Sequence, residues 1–251
     1  MSEGGVRIVG IPGLPEVKRG DALGPLLLEA LRGIPLRVRS GDILVLAHKI
    51  VSKAEGRTVP LAAVAPSQLA DSWAREWGRD PRVVELALAE SRRIVKMDRG
   101  VLLAETRHGF VCANAGVDLS NSPQGTATLL PVDPDRSAAA IRDCLKEATG
   151  SDLAVIISDT FGRPWREGQV NVAIGVAGGM PLSDYRGRKD GFGRTMEATC
   201  IARADEIASA AELVMGKRRR VPAALVRGTS LEDGPGGGSS LVRPAEQDLF
   251  R

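Results

Sequence analysis

Hydrophobic positions along the chain fall into short unbroken runs and longer periodic stretches, and each pattern predicts its own kind of element. The β-branched run at residues 155–157 predicts a strand buried on both faces, the run at 43–47 is a second candidate for a buried strand, and residues 6–11 and 221–226 predict short apolar strands. Two further runs, 101–105 and 109–113, predict strands joined by Thr106-Arg107-His108 as a hairpin-like connection. Helical spacing predicts a helix at 22–31 capped by Asp21, and helical structure over 66–98 around a break at Arg79-Asp80-Pro81. Trp73 and Trp77 read there as packing residues. Ser137 is the expected cap of an amphipathic helix at 138–148, and alanine-rich residues 197–215 predict another helix. Glycine-rich residues 234–240 predict a flexible loop. The predicted class is α+β, with mixed sheets and flanking helices in one interlocked module spanning 1–251, without an internal repeat or a domain linker.

Polar chemistry gathers where these patterns are interrupted. Within residues 154–175 the apolar Val155-Ile156-Ile157 gives way to Ser158-Asp159-Thr160, expected at the strand end. Gly162, Pro164 and Gly168 follow, with Arg163, Arg166 and Glu167 among them. A carboxylate beside arginines suits a metal and phosphate site, and a polar turn with a solvated ion pair is the plain alternative. Lys49, Lys53 and Arg57 recur at helical spacing after the 43–47 strand. They form either a face for a polyanion such as a nucleoside triphosphate or a solvated basic face. Residues 114–122 bring a glycine, Asp118, Ser120, Ser122 and the amides of Asn114 and Asn121 into one loop, hard oxygen donors suited to magnesium or manganese. The Lys217-Arg218-Arg219-Arg220 run before the last strand either holds phosphate or is solvated.

Composition narrows the classes. The 34 basic and 31 acidic residues leave a net charge of +3, too balanced to indicate a nucleic-acid partner, and aromatic content of 3 % argues against base stacking. Cys112, Cys144 and Cys200 are widely spaced, which predicts buried free thiols rather than a disulfide framework or zinc cluster. The first residues carry no signal-peptide pattern and no apolar run is long enough for a membrane span, so a cytoplasmic protein is expected. No Walker A pattern occurs, so any nucleotide would be held differently from a P-loop protein.

Several motifs in order, GLPEVKRGD (13–21), KIVSKAEGR (49–57), AGVDLSN (115–121), LLPVDPD (129–135), SDTFGRPWREGQVNVAIG (158–175), ADEIASAAELVMGK (204–217) and RPAEQDLF (243–250), resemble the coenzyme F420-0:L-glutamate ligases. The chain is also similar to the ligase half of the two-domain actinobacterial form. The resemblance implies GTP-dependent ligation of L-glutamate, in γ-glutamyl linkage, to the deazaflavin precursor F420-0. Phosphorylation of a precursor carboxylate would precede attack by the glutamate amine, releasing GDP and phosphate. It also implies a homodimer and a cavity using magnesium or manganese, with two divalent ions and potassium in the fullest form.

Matched by motif, Asp118 and Asp159 correspond to ligands of one ion and Thr160 to a ligand of a second. Leu14, Pro15, Glu16, Val17, Lys53, Asn121, Met215, Gly216 and Lys217 correspond to nucleotide contacts. His48 stands where relatives often carry a small hydroxyl residue, and it is either such a contact or a core residue. Arg163 and Arg166 join Asp118 and Asp159 as catalytic candidates on chemistry alone, for substrate phosphate or transition-state charge. Ligation to a different phosphate-bearing carboxylate, or a non-catalytic nucleotide- or metal-binding module, are the other readings.

Overall fold

The computed structural model describes residues 4–248; residues 1–3 and 249–251, including the last two positions of the RPAEQDLF motif, lie outside them. In chain order the elements begin with β1 (Arg7–Gly10), α1 (Leu23–Arg32), β2 (Ile43–Ala47), α2 (His48–Ala54) and β3 (Thr58–Pro60). There follow α3 (Gln68–Trp77), α4 (Pro81–Glu90), β4 (Ser91–Asp98), β5 (Val101–Thr106), β6 (Val111–Ala113) and β7 (Thr126–Thr128). The remainder is α5 (Pro134–Thr149), β8 (Ala154–Arg163), β9 (Arg166–Ala177), β10 (Ser183–Asp184), β11 (Cys200–Ile201), α6 (Arg203–Met215) and β12 (Ala223–Arg227).

A mixed sheet in the order β1-β12-β2-β8-β9 organises the α+β fold. Only β2 and β8 run parallel within it, with Leu44 opposite Val155 and Ala47 opposite Ser158. Their unbroken apolar runs are explained by cover on both faces. Leu44, Leu46, Val155 and Ile157 pack with Leu27 of α1 and Leu145 of α5, while Val45 and Ile156 pack with Ile207 and Ala211 of α6. Each fully buried Leu or Ile there contributes about 1.5–3 kcal/mol over its exposed state. A third apolar cluster joins α3, α4, β5 and β7 through Ala74, Val84, Leu102 and Ala127, with Trp73 packed against it.

Several local expectations change. The polar stretch Ser158-Asp159-Thr160 lies inside β8, which continues to Arg163 and turns back as β9; the pairing is irregular at two register shifts, between Ile157 and Ser158 and between Gly162 and Arg163. Residues 91–98 are a strand rather than the end of a helix, because β4 pairs with β5. Asp21 does not cap α1: its Oδ2 accepts from Lys18 N at 2.7 Å, inside the preceding turn. Asp133 caps α5 by accepting from Arg136 N, with Pro134 in the first turn, so α5 begins earlier than Ser137 would allow. The alanine-rich helix α6 begins at Arg203, after Cys200 and Ile201 have paired in β11. The loop at 234–240 is anchored: Gly238 is buried and its N–H donates to Asp135 Oδ1 at 2.7 Å. All three cysteines are free, and only Cys112 is buried, Cys144 being half-buried and Cys200 exposed. No helix among the described residues is long and apolar enough to cross a membrane.

Candidate active site

The carboxyl end of β2 adjoins a cavity of about 590 Å³, within the usual size range of small-molecule sites. Parallel pairing sets its floor. Because Ala47 lies opposite Ser158, the first residue of α2, His48, comes beside Asp159 of β8. His48 is 2 % exposed, and its Nδ1 is 3.2 Å from Ser52 Oγ. Its Nε2 stands 3.2 Å from Asp159 Oδ1 without making a hydrogen bond and has no other partner. Asp159 Oδ1 also accepts from Thr160 N at 2.6 Å. His48 is thus a buried residue that also forms part of the cavity wall.

Asp118 is carried to the same cavity by the connection between β6 and β7. Its backbone is fixed by an isolated bridge to Thr128, and the turn before it places Asn114, Ala115 and Gly116 at positive φ. Two consecutive non-glycine residues in that left-handed region carry backbone strain beside a polar cluster. Ser120 N and Oγ donate to the Asp118 carboxylate at 2.7 and 2.9 Å, and Lys49 Nζ lies 2.6 Å from Oδ2. Burial pushes the Asp118 carboxyl up, but Lys49 and the Ser120 donors outweigh it and hold the group below its ordinary value. Asp118 also lines a second cavity of about 510 Å³ between α3, α4 and residues 113–119.

Every expected nucleotide contact lines the first cavity: Leu14, Pro15, Glu16, Val17, His48, Lys53 and Asn121, together with Met215, Gly216 and Lys217 after α6. Lys53 Nζ meets Glu16 Oε1 at 2.5 Å. Asn121 Nδ2 donates to Lys217 O at 3.3 Å, joining two segments 96 residues apart. Lys217 Nζ donates to Thr160 Oγ1, and Thr160 Oγ1 donates to Asn171 Oδ1 at 2.7 Å. Asn171 and Glu212, inside the 158–175 and 204–217 motifs but assigned no role there, line the cavity too.

Two groups of expected residues fall outside. Arg163 and Arg166 stand at the tip of the β8–β9 hairpin, where Arg163 donates to Glu167 O and Gly168 O, and neither lines the cavity. Arg57 lies beyond the end of α2 and turns to Leu130 O and Glu90 at 3.0 and 2.5 Å, so of the expected basic face only Lys49 and Lys53 reach the cavity. Of the basic run, Lys217, Arg218 and Arg220 line the cavity, while Arg219 turns back toward Leu213 O at 3.5 Å.

Among the described residues no three His, Cys, Asp or Glu side chains gather as ligands, so any ion here would complete its shell with substrate or water oxygens. Asp118 and Asp159 fit one such ion: both are oxygen donors on one cavity, Asp118 is held ionised, and His48 Nε2 is a buried polar atom left unpaired beside Asp159. Thr160 fits a second ion poorly, since its hydroxyl already serves Asn171 and Lys217.

An α+β scaffold that brings four carboxylates, three lysines, two arginines and several hydroxyl and amide groups to one cavity defines an enzyme for charged, oxygen-rich substrates. The family model described as F420-0:Gamma-glutamyl ligase matches residues 13–228, and the chain belongs to that family. It is 48 % identical over 250 residues to the coenzyme F420:L-glutamate ligase of Methanothermobacter thermautotrophicus, covering 98 % of this chain and 99 % of that protein. The proteins of the same name from Methanopyrus kandleri and Methanocaldococcus jannaschii are 44 % and 42 % identical, each over 98 % of this chain and over 98 % and 97 % of their own lengths.

Proposed function

We propose that the protein uses GTP to add L-glutamate, in γ-glutamyl linkage, to F420-0 in coenzyme F420 biosynthesis. The terminal phosphoryl group of GTP passes to a carboxylate oxygen of F420-0 with release of GDP. The glutamate amine then attacks the acyl carbon, forming the amide as the carbon–oxygen bond to phosphate breaks; the amine loses its proton and phosphate leaves. Positioning and charge stabilisation supply most of the rate in such a transfer.

The observation that carries this reading is the convergence of Asp118 and Asp159 with Lys53 and Lys217 in one cavity. Asp118 and Asp159 hold one magnesium or manganese ion, which when bound neutralises phosphate charge. Lys53 reaches phosphate oxygens from α2, its ammonium offered to the nucleotide once freed from Glu16. Leu14, Val17, Ile50 and Met215 give the cavity apolar wall that excludes water. The homodimeric state implied by the resemblance and the cytoplasmic location expected from the sequence belong to the same proposal.

Incubation with GTP, Mn²⁺, L-glutamate and F420-0 gives a product heavier by one glutamyl unit, with one GDP formed per glutamate added. Folded protein that binds GTP but turns over none of a panel of carboxylates is instead a binding module. Product formed only with another carboxylate moves the acceptor and keeps the chemistry.

A further inference from the structure

We propose that the ammonium of Lys217 occupies the cation position beside Thr160, so that the cavity holds one divalent ion, at Asp118 and Asp159, rather than two. This rests on the reading of the cavity as a nucleotide and metal site.

The Thr160 hydroxyl has one proton and two lone pairs. The proton goes to Asn171 Oδ1 at 2.7 Å, and Lys217 Nζ donates to the same hydroxyl oxygen. Asn171 is fixed by sheet register, directly opposite Thr160 in the β8–β9 pair. Its Nδ2 donates to Glu212 Oε2 at 3.1 Å, and Glu212 Oε1 lies 3.9 Å from Lys217 Nζ. Hydroxyl, amide and carboxylate thus form a closed circuit around the ammonium, with one negative charge matching one positive charge.

Lys217 is positioned at two points. Its carbonyl accepts from Asn121 Nδ2 at 3.3 Å, and Gly216 before it turns the chain out of α6 at φ 62°. The side chain remains open to the cavity, where a compact ammonium can bind phosphate oxygens as a point charge. A divalent ion at Thr160 would require the displacement of that ammonium or would meet its charge directly. Hard divalent ions recruit oxygen ligands that are free to coordinate, and here Asn171 Oδ1 and Thr160 Oγ1 are already engaged. At the Asp118–Asp159 end the arrangement differs, because Asp159 Oδ2 takes part in none of the hydrogen bonds to Thr160 or His48.

Equilibrium dialysis of the full chain against Mn²⁺ and a non-hydrolysable GTP analogue counts the ions, with the analogue alone as the control for manganese carried by nucleotide. The expected count is one Mn²⁺ per chain, with a mononuclear six-line paramagnetic resonance spectrum. Lys217→Gln replaces the ammonium with a neutral amide and is expected to raise the count to two, the spectrum broadening through manganese–manganese coupling. Two ions in the native protein overturn the proposal whether or not the variant folds, and leave the nucleotide and metal reading intact. One ion in the folded variant also overturns it. No manganese bound by the native protein above the control overturns both the proposal and the reading beneath it.

Discussion

His48 Nε2 lies 3.2 Å from Asp159 Oδ1, and the parallel pairing of β2 with β8 puts it there. One ring nitrogen is turned to Ser52 inside the protein and the other to a carboxylate on the cavity wall. His48 therefore couples the core to the site. His48→Ala removes a buried ring and leaves the Ser52 hydroxyl without it, at an expected cost of about 1–3 kcal/mol. Urea unfolding checks this, as a lower midpoint at unchanged slope.

Lys53 reaches the cavity from α2 and is paired with Glu16 from the loop that faces it. Removing one charge-assisted contact to phosphate costs about 1.5–3 kcal/mol. Lys53→Ala is expected to weaken GTP binding by about ten- to a hundredfold, measured by calorimetry, with the unfolding midpoint little changed. Equal affinity in the variant would remove Lys53 from the phosphate contacts.

Asp205 tests the electrostatics of the other face of the sheet. Its Oδ1 accepts from Ala173 N at 2.8 Å, and burial raises its carboxyl above the ordinary aspartate value despite that bond. A raised folded-state value means the protonated acid is favoured by folding. Its stabilising contribution is complete below the unfolded value, near pH 3.9, and is lost as pH rises through the raised one. Asp205→Asn keeps an acceptor for Ala173 without a buried charge. The variant is expected to be more stable than the native protein at pH 7, with the difference vanishing near pH 3, in paired thermal melts.

Much of this was legible in the chain, and the misreadings have physical causes. The runs 43–47 and 155–157 announce strands covered on both faces because nothing polar interrupts them, and α1 and α6 supply that cover. Residues 91–98 follow a helical pattern without a glycine or proline break, so only their pairing with β5 makes them a strand. Asp133 and Ser137 both offer a cap near the start of α5, and the proline after Asp133 decides for the earlier one, leaving Ser137 inside the helix. The expected contacts of the cavity were readable as a set through their motifs, which the fold brings to one cavity. Asn171 and Glu212 lie inside two of those motifs but were given no role, because they meet the cavity only through the β8–β9 register and the course of α6. Arg163 looked close to Asp159 in sequence, but four residues of extended strand carry it roughly 13 Å away. Cys112, also on the Asp159 side, is a spectator: burial first and the Asp159 charge second push its thiol up to about 12, leaving it protonated.

In the proposed function Asp159 and Asp118 act together as the acidic pair of a GTP-dependent glutamate ligase. The most direct measurement is glutamate-dependent GDP formation by Asp159→Asn in the presence of F420-0 and saturating Mn²⁺, beside a thermal melt of the same sample. A fall in turnover of about a hundredfold or more with the melt preserved is the predicted result. Native-level turnover in the folded variant would remove Asp159 from the acidic pair.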